Sequence, residues 1–108
     1  MDFLEFNKKS KSMGFGNTGR YGDNNYLQGF VVGLGWADKE GAYFGIQQKT
    51  PKFMSTLKNC FNLLFPTKGN ELYKIVSAKN VKPQTLYMDG RKVVIEKETY
   101  LYVNIYKK

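Results

Sequence analysis

Within the last stretch, Glu98 to Lys108, aliphatic residues alternate without a break with tyrosine or asparagine from Tyr100 to Tyr106. In an extended strand successive side chains point to opposite faces. Leu101, Val103 and Ile105 therefore share a face that requires burial, and Tyr100, Tyr102, Asn104 and Tyr106 share the other. The same alternation, weaker, predicts a short strand over residues 1–7, with Leu4 and Phe6 opposed to Phe3. Leu27–Trp36 predicts a first long strand, with Phe30, Val32, Leu34 and Trp36 on an apolar face and Gly29, Val31, Gly33 and Gly35 opposite. Glycines so placed mark strong coiling or a close backbone approach. Asp38–Gly41 is a polar turn, and Ala42–Lys49 returns as an antiparallel strand. Its Phe44 and Ile46 face the core, and Tyr43, Gln47 and Lys49 lie opposite with Gly45.

The period changes at Thr50-Pro51, an N-cap followed by proline at the first helical position. Phe53, Leu57, Cys60, Phe61 and Leu64 then recur every three or four residues, widened by Met54, until Pro66. This predicts a helix over about 51–65. Leu72–Lys79 reads as a strand again. Leu86–Met88 and Arg91–Glu96 flank Asp89-Gly90, the two-residue turn that favours a hairpin most strongly. The order predicts a β-rich α+β domain: a small antiparallel, OB-like barrel of five to six strands with one helix. The alternative is a curved open antiparallel sheet packed by one helix. The chain reads as a single domain, 1–108, with a flexible glycine- and asparagine-rich loop or arm at about 8–25.

Charge adds an asymmetry. The net charge is +8, and residues 1–48 are balanced at five basic and five acidic residues, whereas residues 49–108 hold twelve against four. A basic chain suits polyanionic partners. Fifteen of the seventeen basic residues are lysine, however, and asparagine, tyrosine and phenylalanine are also frequent, a profile that an AT-rich genome produces equally. Small size and this composition suit a phage or mobile-element product. A single cysteine excludes an internal disulfide, and no apolar run is long enough to span a membrane. The expectation is an intracellular protein, cytoplasmic, in the host cell where phage-encoded.

Catalytic chemistry finds little support. The chain has no histidine, which removes the commonest general base and metal ligand. Cys60 lies in the apolar stripe of the helix and reads as a core residue. Gly14-Phe-Gly16-Asn-Thr-Gly19 has the spacing of a dinucleotide fingerprint but lacks the strand before it and the helix after it. The expectation is a binding protein rather than an enzyme, with no cofactor and no metal.

Single-strand binding needs flat rings for bases and cations for phosphates. Tyr43, Tyr100, Tyr102 and Tyr106 are the candidate platforms, with Tyr73 and Tyr87 weaker because their faces are ambiguous. Lys49, Lys74, Lys79, Lys82, Arg91, Lys92, Lys107 and Lys108 are the candidate phosphate contacts. Phe15, Arg20 and Tyr21 sit in the glycine-rich segment, positioned to close over a strand. The expected partner is single-stranded nucleic acid. Exposed tyrosines suit protein interfaces equally, so a host-protein inhibitor or adaptor is the alternative, and a homodimer through the tyrosine face is compatible with both.

Overall fold

The computed structural model describes residues 1–13, 15–21, 24–29, 33–37 and 40–107, with the backbone alone over 15–36. The described residues form helices α1 (Phe3–Ser10), α2 (Pro51–Leu64) and α3 (Gly69–Ser77). The strands are β1 (Phe15–Tyr21), β2 (Asn24–Gly29), β3 (Gly33–Ala37), β4 (Gly41–Ile46), β5 (Gln84–Met88), β6 (Arg91–Lys97) and β7 (Leu101–Tyr106). They make one antiparallel sheet in the order β1-β2-β3-β4-β7-β6-β5, and side chains are described in its four-stranded half, β4-β7-β6-β5.

The sheet is open: β1 and β5 are its two ends and do not pair with each other, so the expected barrel closure is absent among the described strands. A barrel buries one face of a sheet against itself. Here helices supply that apolar cover. Phe44 of β4 meets Phe6 of α1 edge-on at 6.0 Å and Phe61 of α2 at 5.7 Å. Ala42, Phe44, Ile46, Val93, Ile95, Leu101, Val103 and Ile105 complete the buried sheet face, and Phe53, Leu57, Cys60, Leu64, Leu72 and Val76 the facing helical layer. The result is a two-layer α+β domain with three α-helices, not one, among the described residues.

Three elements depart from the sequence reading. Residues 3–10 are helical, because Asp2 caps the first turn: its Oδ1 accepts from the Glu5 amide at 2.7 Å. Phe3, Phe6, Asn7 and Ser10 then fall on one buried face at helical spacing. Leu72–Lys79 is not a strand either, since Gly69–Ser77 forms α3 and buries Gly69, Leu72 and Val76. Gly69 carries the packing of this helix on α2. A Cβ there would stand 2.7 Å from the Asn62 Cα and 2.8 Å from the Phe61 carbonyl oxygen, so only glycine allows the approach. Finally, the stretch Leu27–Trp36 is no single strand. Gln28 pairs with Leu34 and Gly29 with Gly33, so the chain doubles back into β2 and β3.

The supposed loop at 8–25 contains the end of α1, a 3-10 turn at Lys11–Met13, all of β1 and the start of β2. The expected faces of Phe30 and Val32 lie outside the described residues, as do the side chains of Leu34 and Trp36.

The other elements form where the pattern places them. Thr50 caps α2 through its Oγ1, which accepts from the Phe53 amide at 3.3 Å, and the helix ends before Pro66. Ala37 pairs with Ala42 across the hairpin that follows β3. Asp89 (φ 50°) and Gly90 (φ 77°) both adopt left-handed backbone, as the tight hairpin between β5 and β6 demands.

Asp89 does more than turn the chain. Its carboxylate accepts from the amides of Thr67 and Lys68, each at 3.2 Å, and from the Thr67 hydroxyl. Lys68 is the N-cap of α3 and provides no side-chain cap of its own, so the hairpin caps the helix from another part of the chain. These hydrogen bonds, led by that from the Thr67 hydroxyl, hold the Asp89 pKa below its ordinary 3.8. A depressed folded pKa contributes stability that is complete above the unfolded value and lost as pH falls through the folded one. Thermal melts at stepped pH should therefore show wild type losing, below about pH 4, an advantage over Asp89→Ala that is constant at pH 6–8. A gap between the two that persists unchanged into acid would contradict this role.

Candidate nucleic-acid interface

The face of the sheet turned away from the helices is built by register. Phe44, Val103 and Ile95 pair across β4, β7 and β6 and point into the core. Their neighbours therefore point outward in three rows. Tyr43, Asn104, Val94 and Thr85 form the middle row. Gly45, Tyr102 and Glu96 form a row on one side of it, and Gly41, Tyr106, Lys92 and Tyr87 a row on the other. Tyr43 and Tyr106 meet edge to face at 5.6 Å, the favoured geometry for aromatic pairs. The Asn104 amide lies 3.5 Å from Glu96 Oε1, at the outer limit of a hydrogen bond. Tyr43, Tyr102 and Tyr106 are each half-buried.

Tyr87 completes this face. It is 75% exposed, the most open large apolar side chain among the described residues, and pairs with Lys92, which pairs in turn with Tyr106. Sequence reasoning ranked it low, although the Asp-Gly turn contained the signal. A two-residue hairpin loop fixes Met88 opposite Arg91 and Tyr87 opposite Lys92. The buried Val93 then assigns Lys92 and its partner to the outer face.

The other expected residues divide. Tyr100 precedes β7 rather than lying in it, in a turn where its carbonyl accepts from the Glu98 amide at 3.0 Å. It is 41% exposed. Lys49 lies beyond the end of β4, and its Nζ donates to the Ala78 carbonyl at 2.7 Å, at the C-terminal cap of α3. A cation there meets the negative end of the helix dipole. Desolvation, and then Lys97 nearby, lower its pKa. Lys74 is exposed on α3, in the helical layer. Tyr73 is on the same helix, with the Lys58 ammonium 5.5 Å from its ring centre.

Arg91 is committed to structure. Its Nη1 donates to the Leu64 carbonyl at 2.7 Å, its Nη2 to the Met1 carbonyl, and its guanidinium stacks over Phe3, 4.4 Å from the ring centre. Lys107 is exposed after β7. Lys108 and the side chains of Phe15, Arg20 and Tyr21 lie outside the described residues.

Arg91 and Lys107 also line an open pocket of about 370 Å³ with Asp2, Phe3, Leu4, Asp89 and Gly90. Its polar groups are largely occupied: Asp2 caps α1, Asp89 caps α3, and Arg91 binds two carbonyls. Among the described residues no group of three or more metal-ligating side chains is brought together. Cys60 is buried, and burial pushes its thiol up to about 12, far from a nucleophile's range. No described helix is long and apolar enough to cross a membrane.

The tyrosine face is nearly neutral. Its only charged side chains in the four described strands are Lys92 and Glu96. The basic excess expected beside the tyrosines is elsewhere: Lys49 to Lys82, the helical layer and its flanks, holds seven lysines and one acid, Glu71. Comparison with models of known protein families, with curated proteins and with solved structures finds no match to this chain. What the chain does must be argued from these two surfaces.

Proposed function

We propose that the chain binds single-stranded nucleic acid, DNA in the first instance, by stacking bases on the outer sheet face, and does so in the cytoplasm. The observation that carries the reading is the convergence of Tyr43, Tyr87, Tyr102 and Tyr106 from three strands onto that face, with Lys92 seated between Tyr106 and Tyr87. Adjacent strands are about 4.8 Å apart, so Tyr87 and Tyr106 are separated by roughly 10 Å. Open sheets that bind single strands stack about two or three bases on faces of this kind. Each stack contributes about 1–3 kcal/mol by alanine substitution, and any base has a face to offer. Lys92 supplies a phosphate contact on the face itself, and Lys107, which lines the pocket beside α1 at the strand end, a second at its edge.

Two such contacts imply a shallow salt dependence. For single strands the slope of log affinity on log salt is about −0.7 per phosphate, so four times the salt weakens binding only about sevenfold. The test is titration with an oligothymidylate while following tyrosine fluorescence. Quenching that saturates at micromolar concentrations or below, with a slope between about −1 and −2, is the expected outcome. No binding at low salt would sink the proposal.

The near-neutrality of the face favours one second reading, a protein-binding inhibitor or adaptor in which the tyrosines anchor a partner protein or a second copy of the chain. Light scattering that gives a stable dimer, together with no oligonucleotide binding, would select it.

A further inference from the structure

We propose that the outer surface of the α2–α3 layer is a separate docking surface for the sugar–phosphate backbone of duplex nucleic acid. The exposed arc of α2 consists of Pro51, Lys52, Ser55, Lys58, Asn59 and Asn62, which includes cations, a hydroxyl and amides but no carboxylate. α3 continues it. The Asn62 amide donates to Asn70 Oδ1 at 3.1 Å, and Lys58 reaches over Tyr73, the neighbour of exposed Lys74. Lys79 and Lys82 follow, both exposed. The one acid of this layer, Glu71, is engaged by Lys68 at 3.3 Å. Phosphate contacts are made by lysine, serine, threonine and asparagine side chains, the set displayed here.

The layer complements such a backbone in sign, and a duplex lying along it offers more charges than the layer has lysines. α2 has fourteen residues and at 1.5 Å per residue is about 21 Å long. A duplex presents one negative charge per about 1.7 Å of axis, roughly a dozen over that length. No aromatic side chain lies in the exposed arc of α2, and the half-buried Tyr73 of α3 lies beneath the Lys58 ammonium, so the surface offers little on which an unpaired base would stack. It suits a rigid, uniformly charged backbone. The tyrosine face is on the other side of the sheet, so the two surfaces do not compete for one ligand. This inference uses the charge of the helical layer alone and stands whether or not the tyrosines stack bases.

The experiment is fluorescence anisotropy with a random-sequence 20-base-pair DNA duplex between 50 and 200 mM salt, using wild type, Lys58→Gln/Lys74→Gln and Tyr87→Ala/Tyr106→Ala. The substituted lysines are exposed, and a circular dichroism melt of each variant checks that it folds. About four phosphate contacts give a slope near −3.6, a loss of roughly 150-fold across this range. The lysine variant should lower the magnitude of the slope by about two and leave oligothymidylate quenching unchanged. The tyrosine variant should leave the duplex curve unchanged. Absence of duplex binding at 50 mM salt, or a slope unaltered in the lysine variant, overturns the proposal. So does equal weakening of duplex binding by the tyrosine variant. Loss of oligothymidylate binding in wild type would count against the single-strand reading only.

Discussion

Phe61→Ala should lower the thermal midpoint by roughly 15–30 °C, the largest stability change expected of any single substitution considered. Phe61 is fully buried in the last turn of α2, and its ring meets Phe44 of β4 at 5.7 Å and 87°. Phe44 meets Phe6 of α1 in turn, so one aromatic chain joins two helices to the sheet. Truncating a buried phenylalanine costs about 3–5 kcal/mol, as lost transfer energy together with the cavity left behind. A domain of this size holds only about 5–15 kcal/mol in total, and each kcal/mol moves the midpoint by about 4–8 °C. Leu4→Ala is the control. Leu4 is 53% exposed on the outer side of α1, and its loss should move the midpoint by no more than a few degrees. Cys60, adjacent in sequence and fully buried, gives an independent readout, since a thiol reagent should label it at an increased rate in Phe61→Ala and negligibly in wild type. A midpoint within about 5 °C of wild type would mean that the two layers are held together elsewhere.

That core was legible in the sequence to the extent that its elements were periodic or carried turn chemistry. The stripe from Phe53 to Leu64 is long enough for its period to be unambiguous, and Thr50-Pro51 and Pro66 mark both ends. Asp89-Gly90 left no alternative register, and β7 alternates in six residues out of six. The failures have one physical origin. α1 and α3 are eight and nine residues long, and over such lengths the apolar positions fit a strand as well as a helix. What selects the helix in each case is a cap. For α1 it was visible as Asp2 three residues before Glu5. For α3 it was invisible, because the capping carboxylate comes from Asp89, twenty-one residues beyond Lys68. Misreading α3 as a strand also misassigned Lys74 to the sheet, and with it the location of the basic surface. The candidate site followed the same rule. Tyr102 and Tyr106 were fixed by alternation within one strand, whereas Tyr87 needed a partner strand to assign its face. The contacts of Lys49 and Arg91 were hidden for a different reason: the carbonyls of Ala78 and Leu64 that engage them lie at the ends of helices distant in sequence.

On the sheet face, Tyr106→Ala should weaken oligothymidylate binding about tenfold or more, and Tyr87→Ala/Tyr106→Ala about a hundredfold or more. A single stack contributes about 1–3 kcal/mol, and 1.4 kcal/mol is a factor of ten. The Tyr106 effect should exceed that of Tyr87, because removal of its ring also deprives Tyr43 of the edge contact at 5.6 Å that orients it. Tyr87 has no such ring neighbour among the described residues and is already 75% exposed, so its variant should keep the wild-type melting temperature. Tyr106→Phe separates stacking from hydrogen bonding. It preserves the ring and removes only the hydroxyl, and affinity should stay within about threefold of wild type, under 1 kcal/mol. Tyr73→Ala, on the helical layer, should leave single-strand affinity unchanged, and Tyr100→Ala should matter little, since its residue lies in the turn before β7. Equal losses across all four tyrosines would point to unfolding rather than stacking, and the melts would reveal it. Equal affinities across all of them, in variants that remain folded, would mean that the strand does not lie on this face. A hierarchy of Tyr106, then Tyr87, then Tyr100, with Tyr73 silent, is the order that the register of β5, β6 and β7 imposes if bases stack there.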